Sequence, residues 1–148
     1  MNVLHLKIIT PKKIAMEVDI KKITIPSSDG EITILPRHAN LFCLLIEGVV
    51  KFQTNDDEEE LLAIGGGYLE TDGEIVELLV TKAYGQDAID KTKTEMALQD
   101  ARRDLKESKD KQQIREASAT LRKSLVDMKL LKKKAPRTFS SSQDTPDQ

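Results

Sequence analysis

The sequence has no tryptophan and only two tyrosines and three phenylalanines among 148 residues. That poverty removes the stacking platforms on which single-stranded nucleic acids and sugars are usually held. A single cysteine, Cys43, excludes an internal disulfide and a multi-thiolate metal site. Within LFCLLI it reads as a small packed hydrophobe in a reducing compartment. Two imidazoles, His5 and His38, are too few for a zinc centre without thiolates, so no metal is expected. No apolar run approaches the roughly 18 residues that span a bilayer, and MNVLHLKIITPKK lacks the basic-then-apolar order of a leader. Membrane contact is therefore expected only through partners.

What the chain has in quantity is charge. Apolar residues make up 39% and charged residues 32%, which allows one or at most two small cores under a large solvated surface. The net charge of −2 hides an asymmetry: residues 1–85 carry 8 basic against 14 acidic side chains, and residues 86–148 carry 15 against 11. The first piece is −6 and the second +4. Such a split suggests that the two pieces face different partners.

Up to Val80 the pattern is that of short strands. Leu4, Leu6 and Ile8 alternate with polar residues, as do Ile23 and Ile25, and Val76, Leu78 and Val80 repeat at the same spacing. Turn chemistry recurs roughly every 8–12 residues, which predicts a sandwich or barrel with mostly hairpin connections. Asp72-Gly73 is the clearest hairpin turn, because both residues tolerate positive φ. The texture then changes. From Asp87 to Ser108, Ile89, Ala97, Ala101 and Leu105 recur at multiples of four, with Asp87 or Asp90 serving the helix start. After ESKDKQQ, a second stripe runs through Ile114, Ala117, Leu121, Leu125 and Met128. Two helices with a short connection predict an antiparallel hairpin, and its alanine-rich face buries little area. The tail APRTFSSSQDTPDQ is polar and expected to be disordered. The expected organisation is a β-sandwich at 1–85, a helical hairpin at 86–134 and the tail at 135–148.

Groups that invite a catalytic reading are weighed against plainer ones. Ser27, Ser28, Asp29 and His38 contain hydrolase residue types, but there is no G-x-S-x-G elbow and the serines sit in a Pro-flanked turn. IGGGYLE matches no phosphate loop, so its glycines read as a bulge or a close backbone approach. The acidic run DDEEE at 56–60 reads as a solvated hairpin tip. No catalytic residue and no cofactor are expected.

SSDGEITILPRHANL resembles the G-E-x-x-I-L-P-x-H-A segment of the epsilon subunit of F-type rotary ATP synthases, and IGGGYLE resembles that family's GG-aromatic-L-E segment. Order and spacing agree too, with an LKIITP strand before the motifs, a GQDAID junction and two charged helices after them, over about residues 3–134. The departures are Arg37 where glycine is common, Glu47 where proline is common, and the tail.

The resemblance implies a flattened β-sandwich of about ten short strands followed by the hairpin. It also implies a noncatalytic rotor subunit that couples proton or sodium flow to ATP synthesis and restrains ATP hydrolysis. The implied partners are the gamma subunit of the central stalk, the membrane ring of c subunits and the catalytic alpha/beta head. The implied location is peripheral, at the cytoplasmic face of a bacterial inner or plasma membrane. Asp29, Gly30, Glu31 and His38 would dock on the ring. The basic second helix, with Arg115, Arg122, Lys123, Lys129, Lys132, Lys133 and Lys134, would act in inhibition. Some family members bind ATP through an I-D-x-x-R-A motif, which aligns here with Ile89, Asp90, Lys93 and Thr94. Lysine cannot reproduce the bidentate guanidinium fork, so weak or no nucleotide binding is expected. The competing reading is a β-sandwich module with a basic arm for nucleic acid. Acids at Asp100, Asp104, Glu107, Asp110 and Glu116 would repel phosphate along that arm, so no nucleic-acid partner is expected.

Overall fold

The computed structural model describes residues 2–132, so the expected tail at 135–148 and the basic Lys133 and Lys134 lie outside the described residues. Within them the chain forms nine strands and then two helices. The strands are β1 (Leu4–Ile9), β2 (Ile14–Ser27), β3 (Gly30–Ile34), β4 (Leu41–Leu45), β5 (Gly48–Thr54), β6 (Glu59–Ile64), β7 (Gly67–Thr71), β8 (Ile75–Val80) and β9 (Ala83–Tyr84).

The long strand β2 organises both layers. Its first half pairs antiparallel with β1, and its second half lies between β5 and β3. One layer therefore runs β2-β1-β8-β7-β4, and the other β3-β2-β5-β6-β9. Ser27 at the end of β2 also meets Leu45 of β4, which ties the layers together at that corner. Strands β1 and β8 are parallel, with His5 beside Ile75. Of the eight connections, four join antiparallel neighbours directly: β1–β2, β2–β3, β5–β6 and β7–β8. The expectation of mostly hairpins is corrected to half, because closing the sandwich requires β1 to meet β8 and β4 to meet β7.

The period-two residues face inward as the alternation requires. Leu4, Leu6, Ile8, Ile23, Ile25, Val76, Leu78 and Val80 are all buried in one core, which also holds Phe52, Leu62 and Leu69. At the β7–β8 turn the Asp72 carboxylate accepts from the N–H groups of Glu74 and Ile75, both at 2.9 Å. Gly73 has φ +94°, so the positive-φ position is Gly73 and the turn is centred on Gly73-Glu74. In IGGGYLE a close approach is found. A Cβ on Gly67 would lie 1.9 Å from the Leu79 carbonyl oxygen, so only glycine fits.

A single 3-10 turn, Gln86–Ala88, precedes α1 (Lys91–Glu107) and α2 (Lys111–Lys132). Asp90, not Asp87, caps α1, its side chain accepting from the Lys93 N–H at 3.0 Å. The short Ser108–Asp110 link returns α2 alongside α1. Buried positions of the hairpin are small or polar: Thr94 and Ala101 on α1, and Ala117, Ser124, Asp127 and Leu130 on α2. The stripe expected through Leu125 is corrected, since Leu125 is exposed. At 3.6 residues per turn, Ala117, Ser124 and Asp127 share the inward face and Leu125 rotates off it. Leu130 packs with Leu61 and Ala63 of β6, flanked by Val49, Tyr84, Ile89 and Val126, which seats α2 on the outer side of β5 and β6.

Candidate functional site

Three groups of residues are candidates, and they lie on different elements. The first is the loop group. In the β2–β3 turn the Ser27 hydroxyl donates to the Gly30 carbonyl at 2.5 Å and accepts from the Asp29 N–H at 3.1 Å. Gly30 has φ +115°, and Asp29 and Glu31 are exposed at the tip. Ser27 is thus a buried turn fastener, with neither a histidine nor an acid positioned to activate it as a nucleophile. His38 belongs to the opposite end of β3. Five residues at about 3.3 Å each put more than ten ångströms of strand between it and Glu31. There the His38 N–H donates to Leu35, the ring Nδ1 donates to Ala39 at 2.8 Å, and the Arg37 N–H donates to Gly73 at 2.8 Å. The structure brings Asp29, Gly30 and Glu31 together and sets His38 apart, beside the Gly73 turn.

Arg37, the position where glycine is common in the family, has φ 70°. A left-handed backbone explains that glycine preference, and arginine carries the strain of lacking it.

The second group surrounds the junction between strands and hairpin. Ile89, Asp90 and Lys93 line a cleft of about 320 Å³ with Tyr84, Thr94, Lys123 and Asp127. Asp127 is 3% exposed and doubly held: the Tyr84 hydroxyl donates to one carboxylate oxygen, and Lys123 Nζ lies 2.8 Å from the other. Lys123 also stands 5.6 Å from the centre of the Tyr84 ring. Burial, the Asp127 hydrogen bond and the Asp127 charge all push the Tyr84 hydroxyl well above its usual value, so it stays protonated and donating. The Gln86 side-chain amide donates to the Leu130 carbonyl at 2.7 Å, a second polar tie to α2. The Tyr84–Asp127 pair was not foreseen from sequence. Its partners are 43 residues apart, and an acid in a charged helix reads as solvated.

The third group is the basic face of α2. Arg115, Arg122 and Lys129 recur every seven residues and are exposed, and Lys132 is exposed one turn on. Lys123 differs, being committed to Asp127.

Elsewhere, His5 bridges Glu17 and Asp19 through opposite ring nitrogens, at 2.9 and 2.8 Å, so the three do not converge on one point. Among the described residues no group of three or more His, Cys, Asp or Glu is arranged to hold a metal, and no helix is long and apolar enough to cross a membrane.

The family model for the beta-sandwich domain of the ATP synthase delta/epsilon chain matches residues 3–86, more than half of the chain. The chain belongs to the ATP synthase delta/epsilon family. It is 33% identical over 110 residues to the ATP synthase epsilon chain of Wolinella succinogenes, covering 74% of this chain and 84% of that one. It is 32% identical over 120 residues to the chloroplastic epsilon chain of Lotus japonicus, covering 81% and 90%. A chain in the mitochondrial ATP synthase of Euglena gracilis shares the fold with a TM-score of 0.81 at 20% identity, covering 88% of this chain and 82% of that one. The family model accounts for the sandwich, and the solved structure shares the fold over most of the chain.

Proposed function

We propose that the chain is a noncatalytic rotor subunit of an F-type ATP synthase, coupling ion translocation to ATP synthesis and restraining ATP hydrolysis through its helical hairpin. In this reading residues 1–85 are the docking body, bound to the gamma subunit and the ring of c subunits, and residues 86–134 are a movable arm facing the alpha/beta head. The assembly sits peripherally at the cytoplasmic face of a bacterial inner or plasma membrane. The observation that carries the reading is how lightly the hairpin is fastened. Among the described residues Leu130 is the one large side chain of the hairpin that is fully buried, and the ties around it include the partly buried Ile89 and Val126 and the Tyr84–Asp127 and Gln86–Leu130 hydrogen bonds. Little burial is given up when such an arm leaves, while the exposed Arg115, Arg122, Lys129 and Lys132 reward an acidic surface elsewhere.

Ring docking is assigned to the exposed Asp29-Gly30-Glu31 tip, whose carboxylates suit basic loop residues. His38 acts at a separate contact, since it lies at the other end of β3. Nucleotide binding at Ile89, Asp90 and Lys93 is weak at most, because the buried Asp127 carboxylate shares the cleft and Asp90 is committed to capping α1.

The test uses the assembled enzyme. Truncation after Ala88 should leave rotor assembly intact and raise ATP hydrolysis, and Lys129→Gln with Lys132→Gln should give part of the same release, most visibly at low ionic strength. Failure of the chain to co-purify with ATP synthase subunits refutes the assignment, and assembly without activation by truncation refutes the restraint.

A further inference from the structure

The cleft between β9, α1 and α2 gathers groups that suit a negative charge. Its lining of about 320 Å³ includes the hydroxyl-bearing Tyr84, Thr94, Thr120 and Ser124 and the ammonium-bearing Lys93 and Lys123. Hydroxyl and ammonium donors brought into one recess from different elements favour an anion. Tyr84 is approached by two cations, with Lys82 Nζ 5.8 Å and Lys123 Nζ 5.6 Å from the ring centre. Lys93 makes no ion pair among the described residues.

Two carboxylates are also on the lining, and they differ in what they do. Asp90 is occupied in capping α1, where it accepts from the Lys93 N–H. Asp127 faces the donors: it is 3% exposed, one oxygen accepts from the Tyr84 hydroxyl, and the other lies 2.8 Å from Lys123 Nζ. A carboxylate so far removed from water persists only where fixed donors and a counter-charge replace its hydration. Through these contacts it joins β9 to α2, with Lys93 of α1 on the same cleft. A bound anion would tie the same three elements through the same donors.

We propose that Asp127 is a built-in counterion, whose carboxylate takes the place that an anionic effector would occupy in this cleft. The inference rests on the reading of the hairpin as a movable arm, and names what governs its docking. The arm docks on a charge carried by α2 itself, so docking does not follow the supply of phosphate-bearing ligands. Such a ligand finds Tyr84 and Lys123 already engaged and meets the like charge of Asp127. Neutralising Asp127 converts the cleft into a phosphate site.

The test uses the full chain, with hydrogen exchange of α2 amides as the readout of docking. In the native chain, millimolar pyrophosphate or ATP should leave α2 protection unchanged. Asp127→Asn keeps an acceptor for Tyr84 and removes the charge, so α2 should become several-fold less protected. Pyrophosphate at about ten times its dissociation constant should then raise protection again by about tenfold. ATP should do the same, since the donors read phosphate rather than a base. Lys123→Gln with Asp127→Asn should respond to neither probe, and protection of β1 and β8 should be equal in every variant, which separates loss of the contact from loss of the fold. A rise in native α2 protection with either probe overturns the inference, because a ligand would then fit beside Asp127. Asp127→Asn docking that equals the native level without a probe, or that pyrophosphate does not improve, overturns it as well. Equal rescue of the single and double variants places the probe elsewhere and overturns the role of the cleft. Each of these results leaves the rotor assignment standing, which fails only if the chain does not co-purify with ATP synthase subunits.

Discussion

His5 joins β1 to β2 through two carboxylates, and the joint responds to pH from both sides. Hydrogen bonds that the His5 ring donates to Glu17 and then to Asp19 raise its imidazole above the ordinary value of 6.5. The bond to His5 in turn lowers Glu17 below its ordinary 4.5. The folded chain holds the His5 proton more tightly than the unfolded chain does. Its contribution is complete below 6.5 and is lost as pH climbs through the raised folded value. Glu17 contributes fully above 4.5 and loses its contribution as acid passes through the lowered folded value. Denaturant unfolding from pH 5 to 9 should therefore show stability falling on the alkaline side of 6.5 in the native chain, and His5→Gln should flatten that fall. An unchanged slope in the variant would discard the joint. Nothing in the sequence pairs His5 with acids 12 and 14 positions away, because that depends on the β1–β2 register. The Arg37 backbone was legible only through the family, where glycine at that position matches the φ of 70° found here.

At the scale of elements, Tyr84 on the two-residue strand β9 is the catch that holds α2. Its hydroxyl satisfies a buried carboxylate, and removing one partner of a buried pair leaves the other uncompensated. Tyr84→Phe keeps the ring packing and deletes the bond, so docking of α2 should weaken by about 1–2 kcal/mol. Hydrogen exchange should then show α2 amides roughly 5–30-fold less protected, with β1 and β8 unchanged. Equal protection in the variant would mean that Leu130 and its neighbours hold the helix without the catch. Both helices were legible from their periodicity and from the capping acid before Lys91. The face that α2 turns inward was not. Hydrophobicity alone nominated Leu125, whereas Ser124 and Asp127 are buried because Tyr84 supplies the partner that makes a buried acid tolerable.

For the whole molecule, the main core is built entirely from residues of the nine strands, and the hairpin contributes a separate small cluster around Leu130. The isolated chain cut after Ala88 should therefore still unfold cooperatively, with a loss of about 1–3 kcal/mol from uncovering Leu61 and Ala63. Calorimetry checks the cooperativity, and increased binding of a hydrophobic dye checks the uncovered face. A broad, non-cooperative melt would show that the sandwich needs the hairpin. Period-two alternation and turn spacing made an all-strand sandwich or barrel legible, and the family resemblance chose the sandwich. The length of β2 was not, because IAMEVDIKKITIPS mixes apolar and charged residues as it passes from one layer to the other. Nor was the parallel pairing of β1 with β8, which no local pattern encodes. That pairing also sets a timetable during synthesis. The first strand leaves the ribosome with one edge open and waits for a partner that begins 66 residues after Ile9, about 3–13 s later at 5–20 residues per second. The helices, made of local contacts, form fast once translated, but the surface that receives α2 is complete only after Tyr84. Nascent chains are thus born with their β1 edge exposed to other strands, and the interval is governed by translation speed, so slow codons between β2 and β8 would lengthen the window for mispairing.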